Sequence, residues 1–196
     1  LSYFFRKPFL HHYTDSTGAQ TVDMYIGRYE AAGWGEFWAG VIEGKVAFLQ
    51  LPGEASQRLS GEGEPPRELF EFADKWGLSL SLSRDSSLDE LWDQLSQYLW
   101  GVRKEFQLPL QLLGTDFQKS VWQVLMTIPW GTTVTYGELA ASLGNRGLAR
   151  AVGRANSLNP VPIIIPCHRV VAAGGLGGYS GGLEMKQRLL QLEGRP

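Results

Sequence analysis

The sequence is poor in cysteine: among its 196 residues it has one, Cys167. A single cysteine excludes an internal disulfide, and it excludes the common zinc sites that are built from several cysteines. A lone reactive thiol would be captured by other thiols in an oxidising compartment, so we expect a reducing location, cytoplasmic or, in a eukaryotic source, nuclear. We predict neither a metal nor a cofactor.

Long apolar runs are also absent. No run reaches membrane-spanning length and the first residues do not form a secretory signal, so we expect no membrane partner. A content of 43% hydrophobic and 19% charged residues is typical of a soluble globular protein. The length allows one sizeable domain or two small ones.

Acidic residues are missing between Leu139 and Leu183. The formal net charge of the chain is −2, but residues 1–114 carry −6 and residues 115–196 carry +4. The acid-free stretch contains Arg146, Arg150, Arg154 and Arg169. A positive surface there would suit a polyanionic partner. A solvated basic helix face explains the arginines about equally well.

The cysteine lies in residues 163–169, which read Ile-Ile-Ile-Pro-Cys-His-Arg. Nearby cations lower the pKa of a thiol, and the thiolate is the reactive form, so His168 and Arg169 predict a nucleophilic Cys167. The apolar run and the proline predict a sulfur held rigidly at the end of a buried strand.

The first part of the chain has the pattern of an α/β unit. Residues 34–51 alternate large and small side chains around Glu43-Gly44, which predicts a β-hairpin. Pro65 or Pro66 can begin a helix that runs to about Trp76. The strict alternation of residues 78–82 then predicts a half-buried strand.

A second helix is predicted with Ser87 or Asp89 as its N-cap. Its apolar side chains are Leu88, Leu91, Trp92, Leu95 and Leu99. Residues 101–114 have the character of a connection. His11 and His12 are adjacent near the start of the sequence, where packed or solvated histidines are favoured over metal ligands.

The second part is predicted to be mostly helical. Thr115 or Asp116 caps a first helix that residues 128–131 end. Residues 136–143 and 148–157 predict two short helices around a glycine-containing turn, which is a helix-turn-helix pattern. Many helical hairpins bind nothing, so this pattern is weak by itself.

The later of these two helices is rich in small residues. Gly153 costs roughly 1 kcal/mol in a helix interior and therefore needs a reason such as a close approach. The arginines recur every fourth residue, which places them on one side. Such a helix could lie shallowly in a DNA groove with one arginine entering the base stack, and tight helix–helix packing is the alternative.

Beyond the cysteine, residues 174–182 contain six glycines in nine positions. The loop lacks the Lys-Ser/Thr ending of a P-loop, which argues against nucleotide hydrolysis. A wall that closes over a flat ligand fits it better, with Tyr179 and Ser180 as polar contacts. A final helix is predicted from Glu184 to Glu193.

Four motifs occur together from Thr115 to Gly194: Pro-Cys-His-Arg-Val at 166–170, Asn-Pro-Val-Pro at 159–162, Arg-Ala-Val-Gly at 150–153 and Gly-Tyr-Ser-Gly-Gly at 178–182. In order and spacing this set resembles the O6-alkylguanine-DNA alkyltransferase (methylated-DNA–protein-cysteine methyltransferase) family. The resemblance implies an α/β amino-terminal domain at 1–100, ribonuclease-H-like with an antiparallel sheet and helices. A linker at 101–114 would follow, and then a mostly α catalytic domain at 115–196 with a winged helix-turn-helix-like DNA-binding motif.

The resemblance also implies the chemistry of a suicide enzyme. Cys167 would attack the alkyl carbon of O6-alkylguanine in a base flipped out of the duplex, with O4-alkylthymine left open as a second substrate. His168 would take the thiol proton through a water, Glu193 would orient the imidazole, and Asn159 would fix the cysteine segment. A thioether has no easy hydrolytic exit, so the protein would be consumed.

The partner implied is double-stranded DNA bound in the minor groove, with Arg150 filling the gap left by the flipped base and Tyr136 rotating the adjacent phosphate. The other expected DNA contacts are Arg146, Ala149, Ala151, Gly153 and Arg154. The expected base pocket is formed by Tyr136, Val170, Tyr179, Ser180, Met185 and Lys186. The expected species is a monomer, with cooperativity on DNA left open. The stretch from Cys167 to Tyr179 is one residue shorter than in some relatives.

Two other functions remain open at this point. A thiol hydrolase or acyltransferase also uses Cys and His, but it would turn over a small ester and ignore DNA. A lesion-binding protein of the same fold would not react at all, and such relatives carry tryptophan where this chain has Cys167.

Overall fold

The computed structural model describes residues 21–53, 64–82 and 85–194. The expectation for His11 and His12 lies outside these residues. The strands are β1 (Val22–Ala31), β2 (Gly35–Ile42), β3 (Lys45–Gln50), β4 (Leu78–Ser81), β5 (Val134–Thr135) and β6 (Val170–Val171). The helices are α1 (Arg67–Trp76), α2 (Ser86–Leu99), α3 (Asp116–Met126), α4 (Tyr136–Ser142), α5 (Ala149–Ser157) and α6 (Leu183–Leu192).

The predicted hairpin is confirmed as β2 and β3, which pair antiparallel. Its turn residues Glu43 and Gly44 both have positive φ, 49° and 74°. This backbone matches the right-handed twist of the two strands, which explains why a hairpin forms at this dipeptide.

The expectation of an antiparallel sheet is wrong for one strand. The sheet order is β3-β2-β1-β4, and β1 pairs antiparallel with β2 but parallel with β4. The parallel pair is possible because α1 follows β3 and carries the chain back to the end of the sheet at which β1 begins. β4 therefore runs in the same direction as β1. The ribonuclease-H-like description stays a prediction.

The cap of α2 differs from the predicted one. The helix begins after Asp85, whose carboxylate accepts a hydrogen bond from the Ser87 backbone N–H at 2.8 Å. Ser87 and Asp89 therefore lie inside the first turns. The predicted apolar residues of this helix are all buried, and α2 packs them against the sheet.

The helical part follows the predicted order. Thr115 caps α3 in a capping box with Gln118, and α4 and α5 flank a short 3-10 turn at Arg146–Leu148. Trp122 of α3 is buried and its indole N–H donates to the carbonyl of Ala155 at 2.9 Å. This bond holds α5 against the rest of the protein.

The two parts of the chain share one hydrophobic core. The Leu49 N–H donates to the Pro160 carbonyl at 2.8 Å, so β3 contacts the segment that leads to the cysteine. Gln111 N–H donates to the Val46 carbonyl, and the Gln94 side chain pairs with the backbone of Gln107. The predicted division at 1–100, 101–114 and 115–196 stays a prediction. Residues 101–114 are nevertheless hydrogen-bonded to the sheet through Gln111 and to α2 through Gln107.

None of the helices in the part of the chain that the structure describes is long and apolar enough to cross a membrane.

Candidate active site

The segment before Cys167 is a buried turn rather than the predicted strand. Ile163 has a φ of 73°, and the Ile165 N–H donates to the Val161 carbonyl at 3.0 Å. Pro160, Pro162 and Pro166 lack the N–H groups that a strand ladder needs, so the chain turns instead. Every residue from 159 to 170 is nevertheless buried, so the sulfur is held rigidly.

Asn159 fastens this turn from within. Its side-chain N–H₂ donates to the Ile165 carbonyl at 2.8 Å and to Cys167 Sγ at 3.0 Å. Its side-chain oxygen accepts from the Val161 N–H at 3.0 Å. One buried amide thus sets both the backbone path and the direction of the sulfur.

The Cys167 thiol is protonated at rest, contrary to the expectation from its neighbours. Its side chain is 1% exposed, and burial raises the pKa of the thiol to about 11. Hydrogen bonds from Asn159 and Tyr179 and the charge of Lys186 act in the opposite direction but do not overcome burial. The two residues that follow Cys167 do not supply the expected cations, because burial disfavours the charged form of His168 and the Arg169 guanidinium is paired with Glu193.

His168 is fully buried next to Glu193. Its Nε2 lies 3.0 Å from Glu193 Oε1, and burial lowers the pKa of the imidazole, which is therefore neutral near pH 7. A carboxylate oxygen can only accept, so Nε2 carries the proton and Nδ1 keeps its lone pair. Nδ1 is buried without a hydrogen-bond partner, so this neutral tautomer has a free base nitrogen.

The Glu193 carboxylate accepts several hydrogen bonds at once. Arg169 donates to both oxygens, from Nε at 3.0 and 3.2 Å and from NH2 at 2.8 Å, and Gly131 N–H donates at 3.1 Å. Burial alone would raise the pKa of Glu193, but the hydrogen bonds from His168, Arg169 and Tyr98 lower it to about 2. The carboxylate is therefore ionised at any physiological pH.

Arg169 does not contribute to a positive surface, which corrects one part of the charge expectation. Its side chain is buried, paired with Glu193, and bonded to the Ile128 carbonyl. The charge pattern alone cannot separate this arginine from those of the helix. Its position two residues after a cysteine in an apolar segment was the feature of the sequence that could have indicated burial of Arg169.

Tyr98 of α2 was not predicted as a site residue. It is fully buried, and its hydroxyl donates to Glu193 Oε1 at 2.6 Å and lies 3.3 Å from His168 Nε2. In the sequence Tyr98 resembles one more apolar residue on the buried face of an amphipathic helix. Seventy residues separate it from His168, and no local spacing reveals the contact.

A cavity of about 270 Å³ lies next to Asn156 and Tyr179, which contact Cys167, but neither Cys167 nor Val170 lines it. Its lining residues are Tyr136, Gly153, Asn156, Ser157, Gly178, Tyr179 and Ser180. Four of these were predicted for DNA or base contacts; Asn156, Ser157 and Gly178 were not. The Asn156 amide donates to the Cys167 carbonyl at 3.4 Å, while its oxygen is buried without a partner.

The Tyr179 hydroxyl is also buried, without a nitrogen or oxygen partner. It lies close enough to Cys167 for burial and the thiolate charge to raise the pKa of the phenol. β5 pairs with β6, which brings Tyr136 close to the cysteine segment, where burial and Cys167 raise its pKa as well.

Lys186 and Met185 are buried on α6 and are not among the residues that line the cavity. The Lys186 ammonium donates to the Val170 carbonyl at 2.6 Å and to carbonyls of Leu176 and Gly178. Burial lowers the pKa of Lys186 to about 8, and the Cys167 charge opposes this. The lysine thus fastens the glycine-rich loop to β6, next to the sulfur.

The arginine side of the helix-turn-helix faces solvent. Arg146, Arg150, Ala151 and Arg154 are exposed, and Ala149 and Gly153 are half-buried. A Cβ at Gly153 would meet the Tyr136 ring at 3.7 Å, which is an ordinary contact. The packing of the fold therefore does not require glycine at this position.

No group of three or more His, Cys, Asp and Glu side chains within residues 21–53, 64–82 and 85–194 could hold a metal ion.

Comparison with known proteins gives a consistent set of relatives. The family model for the DNA binding domain of 6-O-methylguanine DNA methyltransferase matches residues 116–195. The methylated-DNA–protein-cysteine methyltransferase of Mycobacterium tuberculosis is 55% identical over 102 residues, which is 52% of this chain and 62% of that relative. The chain therefore matches less than two thirds of the length of this relative.

Longer matches cover almost the whole of other relatives. The methylated-DNA–protein-cysteine methyltransferase of Methanosarcina acetivorans is 46% identical over 155 residues, 79% of this chain and 96% of that protein. The crystal structure of Mycobacterium tuberculosis OGT in complex with DNA has a TM-score of 0.69 and 36% identity. The match covers 87% of this chain and 93% of the protein chain in that crystal structure.

Proposed function

Because the chain belongs to the methylated-DNA–protein-cysteine methyltransferase family, we propose that it repairs DNA by moving the alkyl group of O6-alkylguanine onto Cys167. The observation that carries this proposal is the buried thiol, which Asn159 holds next to Tyr179, a residue that lines a cavity of about 270 Å³. That volume is close to the lower end of the ~300–1,000 Å³ of small-molecule pockets, as a single flat base requires.

The reaction is a displacement at carbon. Cys167 Sγ bonds to the alkyl carbon, the bond from that carbon to O6 breaks, and its electron pair stays on guanine. The thiol proton passes to His168 Nδ1, through a water as the family arrangement implies, and a proton returned to the base completes neutral guanine. The products are guanine and a thioether, and the thioether has no hydrolytic exit.

The raised pKa of the thiol makes the base necessary. With a pKa of about 11, only about one thiol in 10⁴ is ionised at pH 7. The neutral His168, whose Nδ1 has a free lone pair, can accept the proton when substrate is present, and Asn159 stabilises the sulfur as charge develops. The resting protein is thereby protected from reaction with other electrophiles.

Double-stranded DNA is the partner of this proposal, bound by a monomer along α5. The exposed arginines supply attraction to phosphates, and the small side chains of Ala149, Ala151 and Gly153 allow the helix to approach a minor groove closely. Arg150 occupies the space of the flipped base, while Tyr136 and Ser180 contact the base at the cavity.

Single turnover is the expected kinetic behaviour. With duplex containing O6-methylguanine in excess, transfer should stop at one methyl group per protein molecule, because the thioether is stable. Counting transferred label against active protein measures this. Continued release of product beyond one equivalent would contradict the proposal and favour a hydrolase.

Replacing Arg150 with Ala should slow repair of duplex by about 10²-fold or more, because the flipped state loses the side chain that fills the stack, and unstacking costs a few kcal/mol. Reaction with free O6-benzylguanine, which needs no flipping, should change less than about threefold. Both rates can be measured as single-turnover rate constants at the same pH.

The matched control is Arg67→Ala, since Arg67 is exposed on α1 and pairs with Glu71. It removes the same charge from the other part of the protein and should leave both rates unchanged. If Arg150→Ala slowed both reactions equally, Arg150 would have no role in base flipping.

A further inference from the structure

One hydroxyl from the amino-terminal part lies inside the proposed catalytic relay. Tyr98 is on α2, yet its oxygen lies 2.6 Å from Glu193 Oε1 and 3.3 Å from His168 Nε2. Its ring packs edge-on against Trp130, with centroids 5.0 Å apart, and lies tilted against Phe106, with centroids 5.1 Å apart. Because the ring is fixed on two sides and fully buried, the direction of the hydroxyl is fixed as well.

Tyr98 and His168 use the same carboxylate oxygen. Glu193 Oε1 accepts from Tyr98 at 2.6 Å, from Arg169 NH2 at 2.8 Å and from His168 Nε2 at 3.0 Å. The hydrogen bond from Tyr98 is the shortest of the three. A donor at this distance draws negative charge away from the side of the oxygen that faces the imidazole.

We propose that Tyr98 is a positioning residue for the alkyl transfer proposed above: it fixes Glu193 Oε1 and keeps His168 in the neutral form that accepts the thiol proton. Glu193 holds the proton on Nε2, and Tyr98 limits how strongly Glu193 favours the imidazolium. The inference rests on the proposed function, because it concerns the base of that reaction.

Other charged groups act on His168 as well. Arg169 from the same turn and Lys186 from α6 disfavour the imidazolium, and Glu193 at the end of α6 favours it. Tyr98 is the contribution of α2 to this balance. Since Arg169 and Lys186 are unchanged when Tyr98 loses its hydroxyl, the remaining change should favour the protonated imidazole.

The test is the pH dependence of the single-turnover transfer rate in Tyr98→Phe. Without the hydroxyl, Oε1 attracts the Nε2 proton more strongly, so the His168 pKa should rise. The base is then lost at a higher pH, and the acid limb of the rate profile should move up by about one pH unit. Above that limb the variant should react within about threefold of the wild-type rate.

Tyr29→Phe is the matched control. Tyr29 lies on β1 and stacks on Trp92, with ring centroids 5.5 Å apart, so the substitution removes a tyrosine hydroxyl from the same part of the protein. Its rate profile should coincide with that of the wild type.

Fluorotyrosine placed at position 98 gives a second variant that keeps the side chain almost unchanged. Fluorine makes the phenol a stronger donor, so the acid limb should move to lower pH, opposite to Tyr98→Phe. This comparison remains informative even if the Phe variant folds poorly.

The outcomes separate the two proposals. If the wild type transfers alkyl groups and both position-98 variants keep its pH profile, Tyr98 is a structural contact and this inference is wrong. A uniform loss of rate at all pH values would also contradict it. If the wild type transfers no alkyl group, the proposed function itself fails.

Discussion

Cys167→Ser should abolish alkyl transfer, with a loss of at least about 10³-fold, because a hydroxyl is a far weaker nucleophile than a thiol that can be ionised. The sequence contains no other cysteine that could take over as acceptor. The fold should be preserved, since serine is of similar size and can accept the hydrogen bond from Asn159. Intact mass after incubation with O6-methylguanine duplex measures the loss.

Binding provides the control for this variant. The exposed arginines and the cavity are unaltered, so affinity for duplex should stay within about threefold of the wild-type value at matched salt. A serine variant that still gained a methyl group would show that the acceptor lies elsewhere. If the serine variant lost DNA binding, the transfer rate of Cys167→Ala would be compared instead.

Glu193→Gln should have the second largest effect, on both stability and rate. The substitution leaves the Arg169 guanidinium buried without its counter-charge, which costs about 3–5 kcal/mol of unfolding free energy. It also removes the acceptor that fixes the His168 tautomer, so transfer should slow by about 10²-fold. Denaturant unfolding and single-turnover kinetics measure the two effects.

The control is Glu184→Gln, at an exposed position in the first turn of α6. It removes the same charge from the same helix and should change the unfolding free energy by less than about 0.5 kcal/mol. Equal destabilisation by both variants would contradict the assignment of Glu193 as the centre of the buried network.

The same carboxylate predicts a pH dependence. The pKa of Glu193 is about 2 in the folded protein against an ordinary value of 4.5. A carboxyl with a depressed folded pKa stabilises the fold above the unfolded pKa, by about 3 kcal/mol here, and loses this contribution as pH falls from 4.5 to 2. The stability difference between wild type and Glu193→Gln should therefore shrink over that range.

Local patterns predicted the elements that have strong local causes. The Glu43-Gly44 hairpin, α1 after the prolines and the Thr115 cap each depend on residues that are adjacent in the sequence. β1 was missed, and the parallel pairing of β4 with it could not be read from the alternation of β4, because register depends on a partner more than fifty residues away.

At the site, the roles that the sequence predicts for Cys167 and His168 stay predictions, and the predicted electrostatics of the thiol are wrong. Adjacent cations predicted a lowered thiol pKa, whereas burial raises it and Glu193 engages Arg169. The role of Tyr98 could not be predicted from the sequence, because its hydroxyl contacts Glu193 only when α2 is packed against the helical part. Burial and long-range pairing are properties of the folded chain. They explain both the raised thiol pKa and the contact of Tyr98 with Glu193.

Mass spectrometry after reaction with an O6-methylguanine oligonucleotide tests the central claim most directly. We predict that the intact protein gains the mass of one methyl group, that peptide mapping places it on Cys167, and that no second group is added at longer times. An unmodified protein, or repair that continues without a stable adduct on Cys167, would contradict the account.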